Sequence, residues 1–211
     1  YRLNADMKFG GKEEKMAEVS APMAGAMMND FPEVELTTRF RSLGSVFIKE
    51  EGKRSNVREP GVTYADSTFF KMLGIKLLYG DENTALKEPN TLVMTKSAAE
   101  KHFPVNQAVG KTVQLNDRDI FTVSGIVDDM PDNSFLRDRD LFLAMSGYED
   151  SRMAEWGSHN YYTLIKLIPG ASAADLQEEM KTMVGKYLIP YAQRFFPGIT
   201  EQQFLDSGNY M

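Results

Sequence analysis

Three stretches decide the fold: VTYADSTFFKMLGIKLLYGD at 62–81, PNTLVMTKSAAEKHFP at 89–104 and GKTVQLNDRDIFTVSGIVDDMP at 110–131. Short β-branched and aromatic runs bounded by Gly, Asp, Asn or Pro predict strands, and Ser, Thr or Asp ahead of a run predicts a capped helix. The predicted order is strand, short helix, Gly-Asp turn, strand, helix, and a hairpin followed by an acidic turn.

Individual residues set the limits of these elements. Asp66 or Ser67 is predicted to cap a short helix that Gly74 ends, and Thr95 to cap a second helix reaching His102. The polar run 116–119 is the predicted hairpin tip. Gly125 lies inside the returning strand, which indicates a bulge or a close approach of another backbone.

The N-terminal third predicts a β-α-β arrangement followed by a hairpin. Tyr1–Ala5 reads as a strand, and Gly10 to Lys15 as a turn or hairpin tip. Pro22 suits the first turn of a helix, with Ser20 or Ala21 as its cap. Val34–Phe40 alternates apolar and polar residues with a period of two, as in a half-buried strand. Extended chain then reaches a tip at 51–53 and returns toward Val57.

Toward the C-terminus, Leu141–Ala144 and Tyr161–Ile168 read as strands. Ser172 with Asp175 resembles a capping box, and it opens a helix whose apolar face has helical spacing. The residues of that face are Leu176, Met180, Val184 and Leu188, and Pro190 limits or kinks the helix. Strands and helices mix without strict alternation, so the predicted fold class is α+β.

Composition excludes several functions. The chain has 211 residues, a net charge of -6 and no cysteine. Scattered basic residues on an acidic chain argue against nucleic-acid binding, which needs clustered Lys and Arg. Without cysteine there are no disulfides, no thiol catalysis and no thiolate metal sites. No window reaches the run of about 20 apolar residues that a membrane-spanning helix needs.

Two histidines, His102 and His159, are the first candidates for chemistry. A metal or acid/base role is open to them, but they are far apart in the chain and lack the spacing of paired metal ligands. His102 at the end of a helix is more simply explained by the attraction of a cation to the negative helix terminus.

The acidic turn at Asp128, Asp129, Asp132 and Asn133 offers oxygen atoms that Ca²⁺ would favour. It lacks the glycine and the terminal glutamate of an EF-hand loop, and Asp and Asn are ordinary turn formers, so a structural turn is the preferred interpretation. Gly110-Lys111-Thr112 resembles the end of a nucleotide-binding loop, but position 105 is Val105 where glycine is required. We therefore predict no catalytic, cofactor-binding or metal-binding residues.

Methionines concentrate at 7–28 and 180–183. Such residues can form an adaptable binding surface, but at helical spacing they more often belong to a core, which is the interpretation preferred here. Trp156 is predicted to be a loop residue that packs onto the core.

In the order and spacing of these motifs, the sequence resembles the MacB/FtsX-like periplasmic core domain of ABC transporter permeases. It is most similar to permeases of the Bacteroidetes type. The matching residues are Tyr64-Ala65-Asp66 before Phe69-Phe70, Leu77 to Asp81, Pro89-Asn90, Gly110-Lys111, and the turn at 127–134. YRLNADMKFGG and SAPMAGAMMNDFPEVELTTRF near the start are similar to the family's opening strand, helix and second strand.

The resemblance implies a two-part domain. A porter-like β-α-β layer would comprise 1–60 and 161–211, and a second α+β subdomain, 61–160, would be inserted into it. Such a domain is non-catalytic and lies at the periplasmic face of the bacterial inner membrane, between the first and second transmembrane helices of the permease. It would transmit ATP-driven helix motion to a periplasmic substrate or partner, for export or mechanotransmission.

The implied partners are a cytoplasmic ABC ATPase subunit, a second permease copy forming a dimer, and a periplasmic adaptor, and the isolated fragment is expected to be monomeric. The alternative function is an extracytoplasmic ligand-binding or sensor domain of a membrane-anchored protein, and an apolar pocket with converging polar groups would favour it. Exposed, variable segments are expected at 81–88 and 136–157.

The start at Tyr1 inside a strand leads us to expect a fragment of a longer protein. The family usually continues through another strand after the final helix, whereas this sequence stops at Asn209-Tyr210-Met211. Removal of that strand would expose one edge of the porter-like sheet to pairing.

Overall fold

The structure is a computed structural model that describes residues 1–9, 12–53 and 56–207. Of the predicted tip at 10–15, Gly10 and Gly11 therefore lie outside the described residues, and the rest of the prediction is wrong because residues 12–15 belong to a strand. The chain forms two compact units, the first from 1–39 and 152–211 and the second from 40–151. The predicted division placed its boundaries at residues 60 and 161 instead. Residues 40–60 lie within the second unit, where they pair with other strands of that unit.

The strands are β1 Ala5–Phe9, β2 Lys12–Met16, β3 Val19–Ser20, β4 Val34–Glu50, β5 Val57–Ala65, β6 Leu77–Gly80, β7 Thr91–Thr95, β8 Thr112–Leu115, β9 Asp119–Val127, β10 Leu141–Ala144 and β11 His159–Leu167. The helices are α1 Met23–Asp30, α2 Phe69–Leu73, α3 Lys96–Glu100, α4 Ala173–Glu179, α5 Ile189–Gln193 and α6 Glu201–Ser207, with a π-helical turn at Val184–Leu188. The predicted mixed α+β class is confirmed.

Strands of the second unit pair in a closed ring. β4 pairs with β5, β5 with β10, β10 with β7, β7 with β9, β9 with β8, and β8 with β4. The β5–β10 and β7–β9 pairs are parallel, and the other four are antiparallel. Strand β6 adds to β9 outside the ring. Closure satisfies the hydrogen-bonding groups that open sheet edges would expose.

Apolar side chains fill the second unit's core. These buried residues are Val46, Ile48, Val62, Leu92, Met94, Ala98, Ala99, Ala108, Val113, Leu115, Phe121, Val123, Ile126, Leu141 and Leu143. Nearly all come from the strands of the ring, and Ala98 and Ala99 come from α3. A separate aromatic group forms where Phe142 lies 5.5 Å from Phe69 and 5.3 Å from Phe70, measured between ring centroids.

The first unit contains β3, β11 and the beginning of β4 side by side, with the hairpin β1–β2. Its core consists of Leu3, Ala5, Val19, Met23, Ala26, Met27, Phe31, Val34, Trp156, Ile165, Leu176, Met183, Val184, Leu188 and Ile189. Trp156 stacks on Tyr187 with ring centroids 4.7 Å apart, so the predicted packing of this residue onto the core is confirmed. Met23, Met27 and Met183 are core residues as predicted, whereas Met28 is 43% exposed.

The last helical region is broken where the sequence predicted one helix. Helix α4 ends at Glu179, a π-helical turn follows, and α5 begins with Pro190 in its first turn. Proline lacks the N–H that an uninterrupted helix would use and crowds the preceding turn, so the chain restarts there. Helix α6 was not predicted.

Helix starts divide into confirmed and wrong predictions. The Thr95 hydroxyl accepts from the Ala98 N–H at 3.3 Å, and the Ser172 hydroxyl accepts from the Asp175 N–H at 3.3 Å, as predicted. Helix α1 instead has Pro22 at its N-cap and α2 has Thr68, each without a side-chain capping bond. Proline has no side-chain acceptor for a cap.

The expected exposure of 136–157 is wrong for its central part. Strand β10 is buried along its whole length because β5 and β7 pair on its two sides. Leu136 and Trp156 are buried as well. The segment 81–88 is mostly exposed as expected, but Ala85 and Leu86 turn inward and are buried.

Candidate functional site

The two histidines belong to different units, and within the described residues no group of three His, Cys, Asp or Glu side chains is placed to hold a metal ion. His159 begins β11 opposite Ser20 of β3. Its Nε2 atom is buried without a hydrogen-bond partner. Burial lowers the pKa of His159 below its usual value, because the charged form is poorly solvated there.

The acidic turn has a structural role in the described contacts. Asp129 accepts from the backbone N–H of Ser97 at 2.9 Å and from its hydroxyl at 2.6 Å, which holds the start of α3. Asp128 accepts from the N–H of Asp129 at 3.0 Å, as Asp does in tight turns. The pKa of Asp129 is lowered: burial opposes the shift, but the bonds from Ser97 outweigh it. These bonds agree with the turn interpretation.

Gly125 lies at a bulge. The pairing of β7 with β9 shifts between Leu92 and Val93, so that their partners are Val123 and Gly125 and Ser124 is skipped. A Cβ atom on Gly125 would be 2.7 Å from a Leu77 methyl carbon and 3.2 Å from the Tyr79 carbonyl oxygen. Both features that the sequence predicted, a bulge and a close backbone, are present. Gly110 has φ +87° and forms part of a turn before β8.

A buried ionic network in the second unit was not predicted. Glu59, on β5, is 0% exposed, and it accepts from Lys101 Nζ at 2.7 Å. Its other oxygen lies 3.1 Å from His102 Nε2. A fully buried carboxylate requires such partners, since an unpaired charge in the interior is very costly. His102, which the sequence related only to the end of its helix, thus has a carboxylate partner that lies 43 residues away in the chain.

The N-terminal segment, residues 1–4, is bound to β11 in the first unit. The predicted strand Tyr1–Ala5 is wrong in its extent, because this segment forms only an isolated bridge at Arg2 and β1 begins at Ala5. The Leu3 N–H donates to the Thr163 carbonyl at 2.9 Å, and the Ile165 N–H donates to the Tyr1 carbonyl at 2.9 Å. The Tyr1 ammonium donates to the Ile165 carbonyl at 2.8 Å. Leu3 and Ala5 are buried in the core, so both backbone and side chains hold this segment.

A cavity of about 900 Å³ lies within the first unit beside the N-terminal segment. Its walls are largely apolar, and the residues that form them include Leu3, Met23, Leu176, Met180, Met183 and Leu205. Charged side chains of both signs line it too: Arg2, Lys15 and Lys181, and Asp6, Glu201 and Asp206. The volume is within the range of small-molecule sites.

The architecture is thus a mixed α+β domain of two units, and in the described residues no acidic or histidine cluster is placed to hold a metal ion. Residues 4–183 match the family described as the MacB-like periplasmic core domain, and the chain belongs to that family. Curated proteins gave no match.

Solved structures share the fold. A domain of a protein assigned as a permease from Porphyromonas gingivalis is 24% identical with a TM-score of 0.75, over 87% of this chain and 78% of that one. The periplasmic region of MacB from Actinobacillus actinomycetemcomitans is 16% identical with a TM-score of 0.59, over 93% and 92%. The extracellular domain of the noncanonic ABC-type transporter YknZ from Gram-positive bacteria is 13% identical with a TM-score of 0.53, over 84% and 88%.

Family membership makes this a non-catalytic periplasmic or extracellular domain of an ABC transporter permease. It implies an ATPase subunit as a partner and dimerisation of the permease. In the described part of the chain, no helix has both the length and the apolar character needed to cross a bilayer.

Proposed function

We propose that the domain transmits ATP-driven movement of transmembrane helices to a periplasmic substrate or partner, in export or in mechanotransmission. It would do so at the periplasmic face of the bacterial inner membrane as part of an integral membrane protein. The first unit would be the porter-like subdomain and the second unit the insert. A second copy completes the working form, a periplasmic adaptor receives the motion, and the isolated domain is monomeric.

The attachment of the N-terminal segment to β11 is the observation that supports transmission. If the domain follows the first transmembrane helix, as the resemblance implies, movement of that helix enters through Tyr1–Ala5. Two backbone hydrogen bonds between this segment and β11, with the bond from the Tyr1 nitrogen, would carry a pull along the segment as shear, shared between the bonds. Buried Leu3 and Ala5 add packing that resists peeling.

Interrupting the connection tests this route. Four Gly-Ser residues are inserted ahead of Tyr1 in the full-length permease, assembled with its ATPase. Such a linker is flexible and transmits little force. The readout is the ATP-dependent change in distance between spin labels at Glu179→Cys in the two copies, since Glu179 is exposed on α4. We expect the change to disappear while ATP hydrolysis continues.

The matched control places the same four residues between Lys87 and Glu88, which are both exposed in the second unit. This variant should keep the ATP-dependent distance change. If the Tyr1 insertion variant keeps the full ATP-dependent distance change, transmission through the N-terminal segment is contradicted.

The cavity favours ligand binding as a second candidate function. The apolar probe N-phenyl-1-naphthylamine tests it: a ligand site should bind the probe in the isolated domain. Leu176→Trp, which places a larger side chain into the cavity wall, should abolish that binding. Probe binding that is equal in both proteins, or absent from both, would remove the support that the cavity gives to this function.

A further inference from the structure

The His102 ring lies between two carboxylates in the second unit. Its Nε2 atom is 3.1 Å from Oε1 of Glu59, and its Nδ1 atom is 3.4 Å from Oε1 of Glu50. The side chains of His102 and Glu59 are both 0% exposed, and that of Glu50 is 11% exposed. The glutamates come from β4 and β5, whereas His102 follows α3. One ring therefore bridges the two strands and the helix.

The two ring nitrogens have different partners. Nε2 faces a carboxylate that can only accept, so it carries a hydrogen and donates to Glu59. In the neutral ring, Nδ1 is then an acceptor whose lone pair faces Glu50, and this atom is buried with no hydrogen-bond partner in the described structure. One added proton on Nδ1 turns this repulsive contact into a second donor, because both nitrogens of imidazolium donate.

Charges from every neighbouring element bear on the ring. Glu50 on β4 is also paired with Lys53 at 2.7 Å, and Glu59 on β5 with Lys101 at 2.7 Å. Asp140, ahead of β10, is close enough to interact with both Glu59 and Lys101. Burial raises the pKa of Asp140, and the Glu59 carboxylate raises it further against the opposing effect of Lys101. Three carboxylates and two lysines thus surround the ring, and Glu50 and Glu59 are the two carboxylates that face its nitrogen atoms.

We propose that His102 is a proton-operated clasp that joins the β4–β5 hairpin to the end of α3. When His102 takes up one proton from solvent at Nδ1, it donates to Glu50 as well as Glu59, and both strands are held to the helix. When the proton leaves, the Glu50 contact opens and only the Glu59 bond remains. An extracytoplasmic domain is exposed to external pH, so the clasp makes the stiffness of this hairpin respond to acidity.

Nitrogen NMR of the imidazole rings tests the protonation step directly. The chain has only two histidines, so the His102→Gln variant assigns the signals. We expect an imidazolium signal from His102 that grows as the pH is lowered from 8 to 6, and a smaller signal at the same pH in Glu50→Gln, which keeps the size of the side chain and removes its charge. A His102 ring that stays neutral over this range, or equal protonation in Glu50→Gln, would overturn the clasp.

Hydrogen exchange tests the mechanical consequence. After correction for intrinsic exchange, amides of 46–50 and 57–59 should gain protection as the pH falls from 8 to 6. Glu50→Gln should lose this gain, and it provides the test should His102→Gln fail to fold. His159→Gln, in the other unit, should keep the gain. Equal gains in the wild type and in Glu50→Gln would contradict the proposal.

Discussion

Arg2 and Leu164 form a direct antiparallel bridge between the N-terminal segment and β11. The flanking residues Tyr1 and Ile165 exchange backbone hydrogen bonds, so the Arg2–Leu164 pair is the non-hydrogen-bonded type, in which Cα atoms are about 4.5 Å apart. This separation suits a disulfide. The Arg2–Leu164 pair thus fixes the register of the N-terminal segment against β11, and we propose that movement enters through this segment.

The double variant Arg2→Cys/Leu164→Cys should therefore oxidise readily to a disulfide. The bond would close a long loop and stabilise the first unit by about 5 kcal/mol at most. Mass spectrometry of the oxidised protein and urea unfolding with and without reductant check this. Arg2→Cys/Lys166→Cys, displaced by two residues, should stay reduced, and the reverse pattern would show that the register is different.

Truncation of the aromatic group in the second unit should be costly. Phe142 is fully buried against Phe69 and Phe70, and Phe142→Ala should lower the free energy of unfolding by about 3–5 kcal/mol. Phe135, by contrast, is 61% exposed, and Phe135→Ala should change the free energy of unfolding by about 0.5 kcal/mol or less. Denaturant unfolding of both variants measures the difference, and equal losses would contradict the assigned burial.

Two glycines with the same φ separate backbone strain from steric contact. Gly61 and Gly74 both have φ +67°, where a Cβ costs about 1–2 kcal/mol. A Cβ at Gly74 meets nothing within 4 Å, whereas one at Gly61 would lie 2.3 Å from the Asp138 carbonyl oxygen. Gly74→Ala should therefore cost only the strain, and Gly61→Ala about 3 kcal/mol or more. Similar unfolding energies for the two variants would rule out the close approach at Gly61.

The first unit should lose stability in mild acid through His159. Burial lowers the pKa of this histidine in the folded protein, so the unfolded chain takes up the proton first. Its contribution is complete above the unfolded pKa of about 6.5 and is lost as the pH falls below that value. Trp156, the single tryptophan, reports urea unfolding of this unit. Between pH 8 and 5 the wild type should lose more stability than His159→Gln, and identical losses would exclude this cause.

Local signals in the sequence predicted the features that depend on neighbouring residues. Thr95 and Ser172 cap helices because a hydroxyl ahead of a run accepts from an N–H three residues on. Asn116 and Asp117 take positive φ at the predicted hairpin tip, as their side chains permit. The family resemblance added the overall architecture, which family membership supports.

Contacts between distant segments were not predictable in this way. The predicted hairpin joins β8 to β9, but the ring of strands closes only because β8 also pairs with β4, and no turn connects these two strands. In the sequence, Glu59 has no feature that distinguishes it from an exposed strand glutamate. Its burial against His102 follows only from the contact between two distant segments. The end of α4 at Glu179 was not predicted either, because the apolar residues of 176–188 have the spacing of one continuous helical face; the effect of Pro190 was predicted.

The most direct test of the central claim is whether both units of this domain move when the transporter binds ATP. Because these 211 residues contain no cysteine, spin labels can be placed singly at Glu179→Cys in the first unit or Glu88→Cys in the second. Distances between the two copies are then measured in the reconstituted full-length permease with its ATPase. A domain that transmits motion should show a different distance distribution with ATP than without nucleotide, at both sites. Unchanged distributions at both sites while ATP is being hydrolysed would contradict the account.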